Sequence, residues 1–206
     1  SQDYTNWLPN LQFKYNVDNT VVRLAYSNSI ARPNYFDLVP YQYLNSDDFK
    51  FEEGNPNLDP TKSVNFDLMV EQYFSSVGIF SVGVFHKTLN DFIFTYREDG
   101  FEDAGFPDDT FEYSQERNGD KATVYGIEAS LQTKLGFIHD KLNNFNLYLN
   151  YTNTNSNATG VEGRDDENLD LAGAVNHMFN SSLAYETKKL TLRASLNYAG
   201  DYIDEY

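Results

Sequence analysis

The chain has 206 residues, a formal net charge of −16, no cysteine, 16 Tyr, 16 Phe and one Trp. That aromatic share argues against disorder, the acidic balance disfavours a nucleic-acid partner, whose phosphates need a basic stripe, and no apolar run approaches the roughly 18 residues of an α-helical membrane span. Zero cysteine removes disulfides, thiolate metal sites and a cysteine nucleophile together. From Ser1 onward no charged n-region or apolar h-region appears, so no targeting signal is visible. The chain reads either as unsorted or as a piece of something longer.

Apolar residues recur with period two, not at helical spacing. Leu11, Phe13, Tyr15 and Val17 alternate with Gln12, Lys14 and Asn16, the turn dipeptide Asp18-Asn19 follows, and Val22, Leu24 and Tyr26 alternate with Arg23, Ala25 and Ser27. Two such runs joined by about two polar residues predict a hairpin. After a long connection (31–62), Val64, Phe66, Leu68, Val70 and Phe74 oppose Asn65, Asp67, Met69, Glu71 and Tyr73. Ser75 to Gly78 is a short turn, and Phe80, Val82 and Val84 open a return strand expected to reach Tyr96. Beyond 98–120, Thr123, Tyr125, Ile127, Ala129, Leu131 and Leu135 alternate with Gly126, Glu128, Ser130, Gln132 and Lys134; a connection from Gly136 to Asn144 then leads to Phe145, Leu147, Leu149 and Tyr151. After 157–173, Phe179, Leu183 and Tyr185 run to a Lys188-Lys189 turn, followed by Leu190, Leu192, Ala194, Leu196 and Tyr198. The pattern predicts about eight strands in four hairpins.

Connections alternate short and long. Those within hairpins are short and polar, whereas those between hairpins far exceed the usual length of about 4–6 residues. The three long stretches hold 20 of the 31 acidic residues and 5 of the 15 basic ones, which leaves the strands nearly neutral, as suits a lipid-embedded wall. Outer-membrane barrels join their strands in this way, by short periplasmic turns and long extracellular loops. Periodicity alone leaves two readings open. In a soluble sandwich the apolar side of each strand faces a shared core. In a barrel wall it faces lipid, and the Asn, Gln, Ser and Thr side, with Arg23, Asp67, Glu71, Glu128 and Arg193, lines a wet lumen. Tyr and Phe near strand ends (Tyr15, Tyr26, Phe74, Tyr151, Tyr185 and Tyr198) suit girdles at the lipid boundary and, with the loop asymmetry, favour the membrane.

Several ordered motifs carry a family resemblance. Ala25 to Tyr35 (AYSNSIARPNY), Leu38-Val39-Pro40, Gly54 to Pro60 (GNPNLDP), Ser63 to Leu68 (SVNFDL), Gly83 to Lys87 (GVFHK) with Asp91-Phe92-Ile93, and Val124 to Glu128 (VYGIE) resemble, in the same order, the barrel half of TonB-dependent outer-membrane receptors. The resemblance covers nearly the whole chain and implies an all-β, antiparallel up-and-down transmembrane β-barrel. Family members have roughly 22 strands and an N-terminal plug in the lumen. Here about a third of those strands are present, with no plug and no TonB box, and the chain stops at Tyr206 without a final aromatic-ended strand. The expectation is one partial barrel domain, 1–206, from the second half of the barrel, with the plug domain and final strands absent. By resemblance, the complete receptor imports a scarce solute (an iron–siderophore, cobalamin, an oligosaccharide or a peptide) across a Gram-negative outer membrane. The partners implied are outer-membrane lipid and lipopolysaccharide, the small solute, and the TonB–ExbB–ExbD complex acting through the plug, with a surface lipoprotein over the loops left open. Two alternatives stand beside it: a passive porin or structural barrel, and a soluble carbohydrate-binding β-sandwich.

No catalytic signature is present: there is no recognisable Ser/His/Asp context, phosphate loop or HExxH. His86, His139 and His177 lie on separate elements without ligand spacing, so neither an enzyme nor a cofactor is expected. Two acidic runs (Asp99, Glu102, Asp103, Asp108 and Asp109; Asp165, Asp166, Glu167 and Asp170) offer oxygen ligands to Ca²⁺, but neither has EF-hand spacing, and solvated loop tips are the plainer reading. Gly54 to Pro60 reads as rigid turn chemistry, and Gly126 as a site of close backbone approach. Ligand recognition, if it resides in this chain, belongs to loop aromatics. Tyr35, Phe36, Tyr41, Tyr43, Phe49 and Phe51 crowd into one loop, and exposed aromatic side chains either pack together or bind something. Arg32 adds a planar fork for a carboxylate or for the anionic periphery of a metal chelate. The candidate ligand-facing residues are therefore Arg32, Tyr35, Tyr41 and Tyr43 in the loop, and Arg23, Asp67, Glu71, Glu128 and Arg193 toward the lumen. The negative loops oppose long-range steering of a small free anion.

Overall fold

The computed structural model describes residues 5–74, 78–102, 110–164 and 167–206. Period-two alternation becomes strand throughout. β1 (Asn10–Val17) and β2 (Thr20–Ala31) form the first hairpin. β3 (Gln42–Asn45) and β4 (Lys50–Glu53) stand inside the first long connection, ahead of β5 (Thr61–Phe74) and β6 (Gly78–Asn90). β7 (Ile93–Glu102) and β8 (Thr110–Asn118) occupy the second connection, and β9 (Lys121–Lys134) and β10 (Phe145–Thr159) follow, joined through the 3₁₀ turns Leu135–Phe137 and Asp140–Leu142. β11 (His177–Glu186) and β12 (Thr191–Ala199) close the series. The expected turn at 75–77 lies outside the described residues.

The eight long strands form one sheet in the order β1-β2-β5-β6-β9-β10-β11-β12, and every neighbouring pair is antiparallel. This is the expected up-and-down meander. Two corrections follow from the second, four-stranded sheet, in the order β3-β4-β8-β7. The long connections contain strands of their own, and the return strand from Phe80 ends at Asn90, short of Tyr96. The cause is local. Asp91 takes a left-handed φ of 55° and its N–H donates to Asp120 O at 3.1 Å, which turns the chain out of the wall ladder so that Phe92 and Phe94 bury in the loop layer.

Direct cross-strand partners share a face. One rung therefore runs Tyr15, Val22, Val70, Val82, Ala129, Tyr151, Phe179, Tyr198 across all eight wall strands. The opposite face carries the rung Ser81, Ser130, Asn150, Asn180, Asn197. Tyr15 lies near the short-turn end of β1, yet its rung reaches Tyr198 near the long-loop end of β12. Such a stagger is the shear that a tilted barrel wall requires. A sandwich would bury the apolar face against a second layer. Here Phe13 (70 % exposed), Leu24, Phe66, Val84, Ile127 and Leu196 all stand open. Among the described residues the dry clusters lie elsewhere, in the loop layer around Phe92 and Phe111. No helix among the described residues is long and apolar enough to cross a membrane, which says nothing about crossing by strands.

Gly126 is the wall's tightest close approach. A Cβ there would lie 2.1 Å from Asn153 O and 2.7 Å from Cζ of Phe85, its cross-strand partner. Gly126→Leu in the full-length protein is expected to cost about 1–3 kcal/mol by overpacking, read as a lowered denaturant midpoint; an unchanged midpoint would mean that the β9–β10 ladder at Asn153 shifts, and Phe85 with it, at no cost.

Candidate functional site

The three long connections are knitted into a single layer at one end of the wall's polar face. At that end the polar face turns apolar: Leu89, Ala122 and Ala158 share a rung, and Phe92, Phe94, Val161 and Leu169 pack with them. Above this pad β4 pairs in parallel with β8, from Lys50↔Glu112 to Glu53↔Gln115, and β8 pairs with β7. Phe51, Phe111 (1 % exposed) and Tyr113 form a second dry cluster between these strands.

The Gly54 to Pro60 motif staples the first connection to the second. Asn55 Oδ1 accepts from Asn57 N at 3.0 Å, making a local turn, while Asn55 Nδ2 donates to Glu116 O at 3.0 Å. Asn118 completes the staple: its Oδ1 accepts from Asp59 N at 2.9 Å, and its Nδ2 donates to Asp59 O and Asp91 O at 2.9 and 2.8 Å. Arg117 joins the second connection to the third. Its guanidinium lies 3.7 Å from the Tyr96 ring centroid and donates to Glu162 Oε2 at 2.5 Å. Arg97 pairs with Glu205, and Tyr206 OH donates to Asp170 O at 2.8 Å while accepting from Ala172 N at 3.0 Å.

Within this layer lies a polar cleft of about 250 Å³, lined by Asp37, Tyr41, Glu52, Glu53, Thr95, Arg97, Ser114, Gln115 and Glu116. Four carboxylates face one arginine that is already paired with Glu205. Burial, and then the charges of Glu52, Asp37 and Glu116, hold the Tyr41 phenol above the ordinary tyrosine range. The site therefore favours neutral donors and cations over anions.

Of the nine residues read as ligand-facing, Tyr41 alone lines this cleft. Tyr35 is 81 % exposed and Tyr43 and Arg32 are also exposed, on the same connection. The remaining loop aromatics mostly hold the layer together: Phe36 packs on Tyr41, Phe49 on Phe111, and Phe51 on Phe101 and Tyr113. Toward the lumen, Arg23 and Glu71 bind each other. Arg23 Nε and Nη2 donate to Glu71 Oε1 and Oε2 at 2.9 and 3.2 Å, and Tyr73 OH donates to Oε2 at 2.9 Å. Arg193 lies 3.8 Å from Glu186 and lines a groove of about 380 Å³ with Gln132, Asn146, Tyr148, Ser182 and Glu186. Asp67 and Glu128 stand on the polar face without an ion pair among the described residues.

Among the described residues no group of three His, Asp or Glu side chains is placed to hold a metal ion. Asp103, Asp108, Asp109, Asp165 and Asp166 lie outside the described residues. Glu167 pairs with Arg164 at 2.7 Å, and Asp170 accepts from Ser156 Oγ at 3.3 Å. His86 is exposed on the apolar face between Phe66 and Tyr125, and His139 accepts from Lys141 N inside its turn. His177 Nδ1 lies 2.9 Å from Tyr151 OH. Asp37, Glu52, Glu53, Arg97 and Glu116 of the cleft do not stand out from sequence. The available signal is the alternation of Phe111, Tyr113 and Gln115 with Glu112, Ser114 and Glu116, which marks a strand within the acidic segment.

Asn118→Ala removes three hydrogen bonds at once. It is expected to destabilise the loop layer by about 1–3 kcal/mol and to speed hydrogen exchange at the Asp59 amide, with wall amides unchanged. Tyr113 supplies a pH test. Burial, and then donation to Glu53 Oε2 at 2.9 Å, raise its phenol pKa. A raised value means that the fold favours the neutral phenol. That contribution is complete below the ordinary value of about 10 and is lost as pH climbs through the raised one. Tyrosine-resolved NMR is expected to show Tyr113 ionising above the ordinary tyrosine value of about 10, and Glu53→Gln bringing it only part of the way back, because burial remains.

The sequence matches the family described as TonB dependent receptor-like, beta-barrel, over residues 1–206. No curated protein matches it. The fold is similar to the ferric enterobactin receptor PfeA of Pseudomonas aeruginosa, with a TM-score of 0.66 at 19 % identity over 95 % of this chain and 28 % of that one. It is also similar to the siderophore receptor PirA of Acinetobacter baumannii (TM-score 0.62, 19 % identity, 93 % and 28 % covered) and to the copper transporter OprC (0.63, 13 %, 91 % and 26 %). The chain thus spans 28 to 32 % of the length of these siderophore receptors and of a second PirA, from Pseudomonas aeruginosa. With its sheared meander, open apolar face and layered long connections, the chain belongs to the TonB-dependent receptor family, as a stretch of its β-barrel.

Proposed function

We propose that this chain is the wall and loop layer of an outer-membrane receptor that takes up a scarce solute, with energy from the TonB–ExbB–ExbD complex transmitted through a plug domain elsewhere in the protein. The observation that carries the proposal is the fusion of two different surfaces: an exposed apolar face on one side of the sheet, and on the other a polar face roofed at one end by the interlocked loops. Long loops are common to outer-membrane barrels, but a passive pore does not require them locked into one interlocked layer. A receptor needs one, because selection must precede passage.

The solute first meets Tyr35, Tyr43 and Arg32 on the outer surface, and then the cleft beside Tyr41. Exposed aromatic rings offer flat apolar contact to an amphipathic ligand. The cleft's surplus of carboxylates favours solutes that present hydroxyl, amide or cationic groups and opposes small free anions. Siderophore chelates, cobalamin, oligosaccharides and peptides remain the candidate classes. Similarity to structures named for ferric enterobactin, siderophores and copper is a reason to try metal-bearing cargo first. Wall contacts are with outer-membrane lipid and lipopolysaccharide, and a surface lipoprotein over the loops is a further partner to seek.

The test is solute binding by the full-length receptor in detergent, with ferric siderophores, cobalamin, oligosaccharides and peptides presented in turn. Tyr35→Ala and Tyr41→Ala are each expected to weaken binding of the true solute by roughly tenfold, on the scale of a lost aromatic contact. Uptake by cells should also stop without TonB. Uptake that persists without TonB would identify a passive pore instead.

A further inference from the structure

The uptake role leaves the short-turn end of the sheet unused. Because β10 and β11 pair, the β9–β10 connection and the β11–β12 turn are neighbours there: Glu186 N donates to Asn144 O at 2.8 Å, and Asn146 Nδ2 donates to Glu186 Oε2 at 3.0 Å. The tips are both apolar and basic. Phe137 and Ile138 are 64 % and 62 % exposed, and Leu190 is half exposed. Residues 134–144 and 186–193 hold five of the 15 basic residues and two of the 31 acidic ones, the reverse of the long connections.

These tips are also held in shape. Ile138 N donates to Leu135 O at 3.0 Å, Leu142 N to His139 O at 2.8 Å, and Lys141 N to His139 Nδ1 at 3.1 Å. In the neighbouring turn Thr187 Oγ1 accepts from Leu190 N at 3.0 Å. Hydrogen bonds that fix a turn while leaving adjacent Phe and Ile in the open have a use when the medium outside is not water. The next rung of the apolar face, Phe145, Tyr185 and Leu192, makes the tips continuous with the wall's exposed belt. Lys141, Lys188 and Lys189 are exposed and make no ion pair among the described residues.

We infer that this rim docks on anionic glycerophospholipid in the leaflet at the short-turn end, with Phe137, Ile138 and Leu190 at the acyl boundary and Lys141, Lys188 and Lys189 on headgroup phosphates. The inference rests on the outer-membrane reading above. Basic side chains act on an anionic surface only within about a Debye length, so the preference is strong at low salt and screened at high salt.

The test uses the full-length receptor in phosphatidylcholine vesicles with and without phosphatidylglycerol, measuring the denaturant unfolding equilibrium at low and high salt. The native protein is expected to show a folding constant larger by roughly tenfold with phosphatidylglycerol at low salt, and no difference at high salt. K141Q/K188Q/K189Q should lose that difference while keeping its phosphatidylcholine value, and F137S/I138S should be weakened in both lipids. Equal stability of the native protein in the two lipids overturns the inference while leaving the outer-membrane reading intact. So does a triple variant that keeps the preference, or a concentration-dependent oligomer that buries Leu190 in both lipids. A protein that folds in water with no vesicles at all overturns the outer-membrane reading itself, a separate and recognisable result.

Discussion

Hydrocarbon offers no partner to a peptide N–H or C=O, so a chain that crosses it must pair every backbone group with its own backbone. That constraint explains why the wall is an unbroken ladder in which each strand hydrogen-bonds to the next in sequence order. It also explains the side-chain pattern. Once pairing fixes the pleat, alternate residues face opposite media, and Val, Leu, Phe and Tyr separate from Asn, Ser, Gln and Thr with no need for a second layer. The wall's apolar side finds its core in its solvent. Leaving a ladder at Asp91 is possible only where that solvent ends, and there the chain departs for the loops.

The loop layer lives under the opposite rule. Surrounded by water, it must build its own dry interior, and does so from Phe92, Phe94, Phe51, Phe111 and Tyr113, seated partly on a patch of the polar face that has turned apolar. Arg97, Arg117 and Arg164 each pair with a glutamate, so the carboxylates around Tyr41 keep an unbalanced negative field. Exposed pairs of this kind are individually weak. Their larger effect is on which charges are left facing the cleft.

Strand order, hairpin pairing and the residues that share each face were legible in the sequence because sustained period-two alternation suits an extended chain and no helix; which face meets lipid rested on the loop asymmetry and the family resemblance. The loop sheet was less legible. β3 and β4 are four residues each, too short for alternation to speak, and β8 owes its place to a parallel partner far away in the chain. Among site residues, Tyr41 was found by aromatic density. Arg23 and Glu71 were found by their position on the polar side, but a sequence cannot show that they satisfy each other. Leu89, Ala122 and Ala158 are the instructive omission. They break the polar alternation at strand ends, where a mismatch is easily dismissed as fraying, and they form the pad on which the loops rest.

The parallel contact between β4 and β8 has a temporal consequence. Its two strands lie on opposite sides of the β5–β6 hairpin in the chain, so the contact encloses that hairpin within its loop. Closing so large a loop costs chain entropy before any reward arrives, and parallel pairs are somewhat weaker per residue than antiparallel ones. Maturation of the receptor should therefore be hierarchical: neighbouring hairpins zip first, and the roof assembles last on a finished wall. A half-made protein would be a membrane-ready wall segment in which the cleft beside Tyr41 had not yet formed.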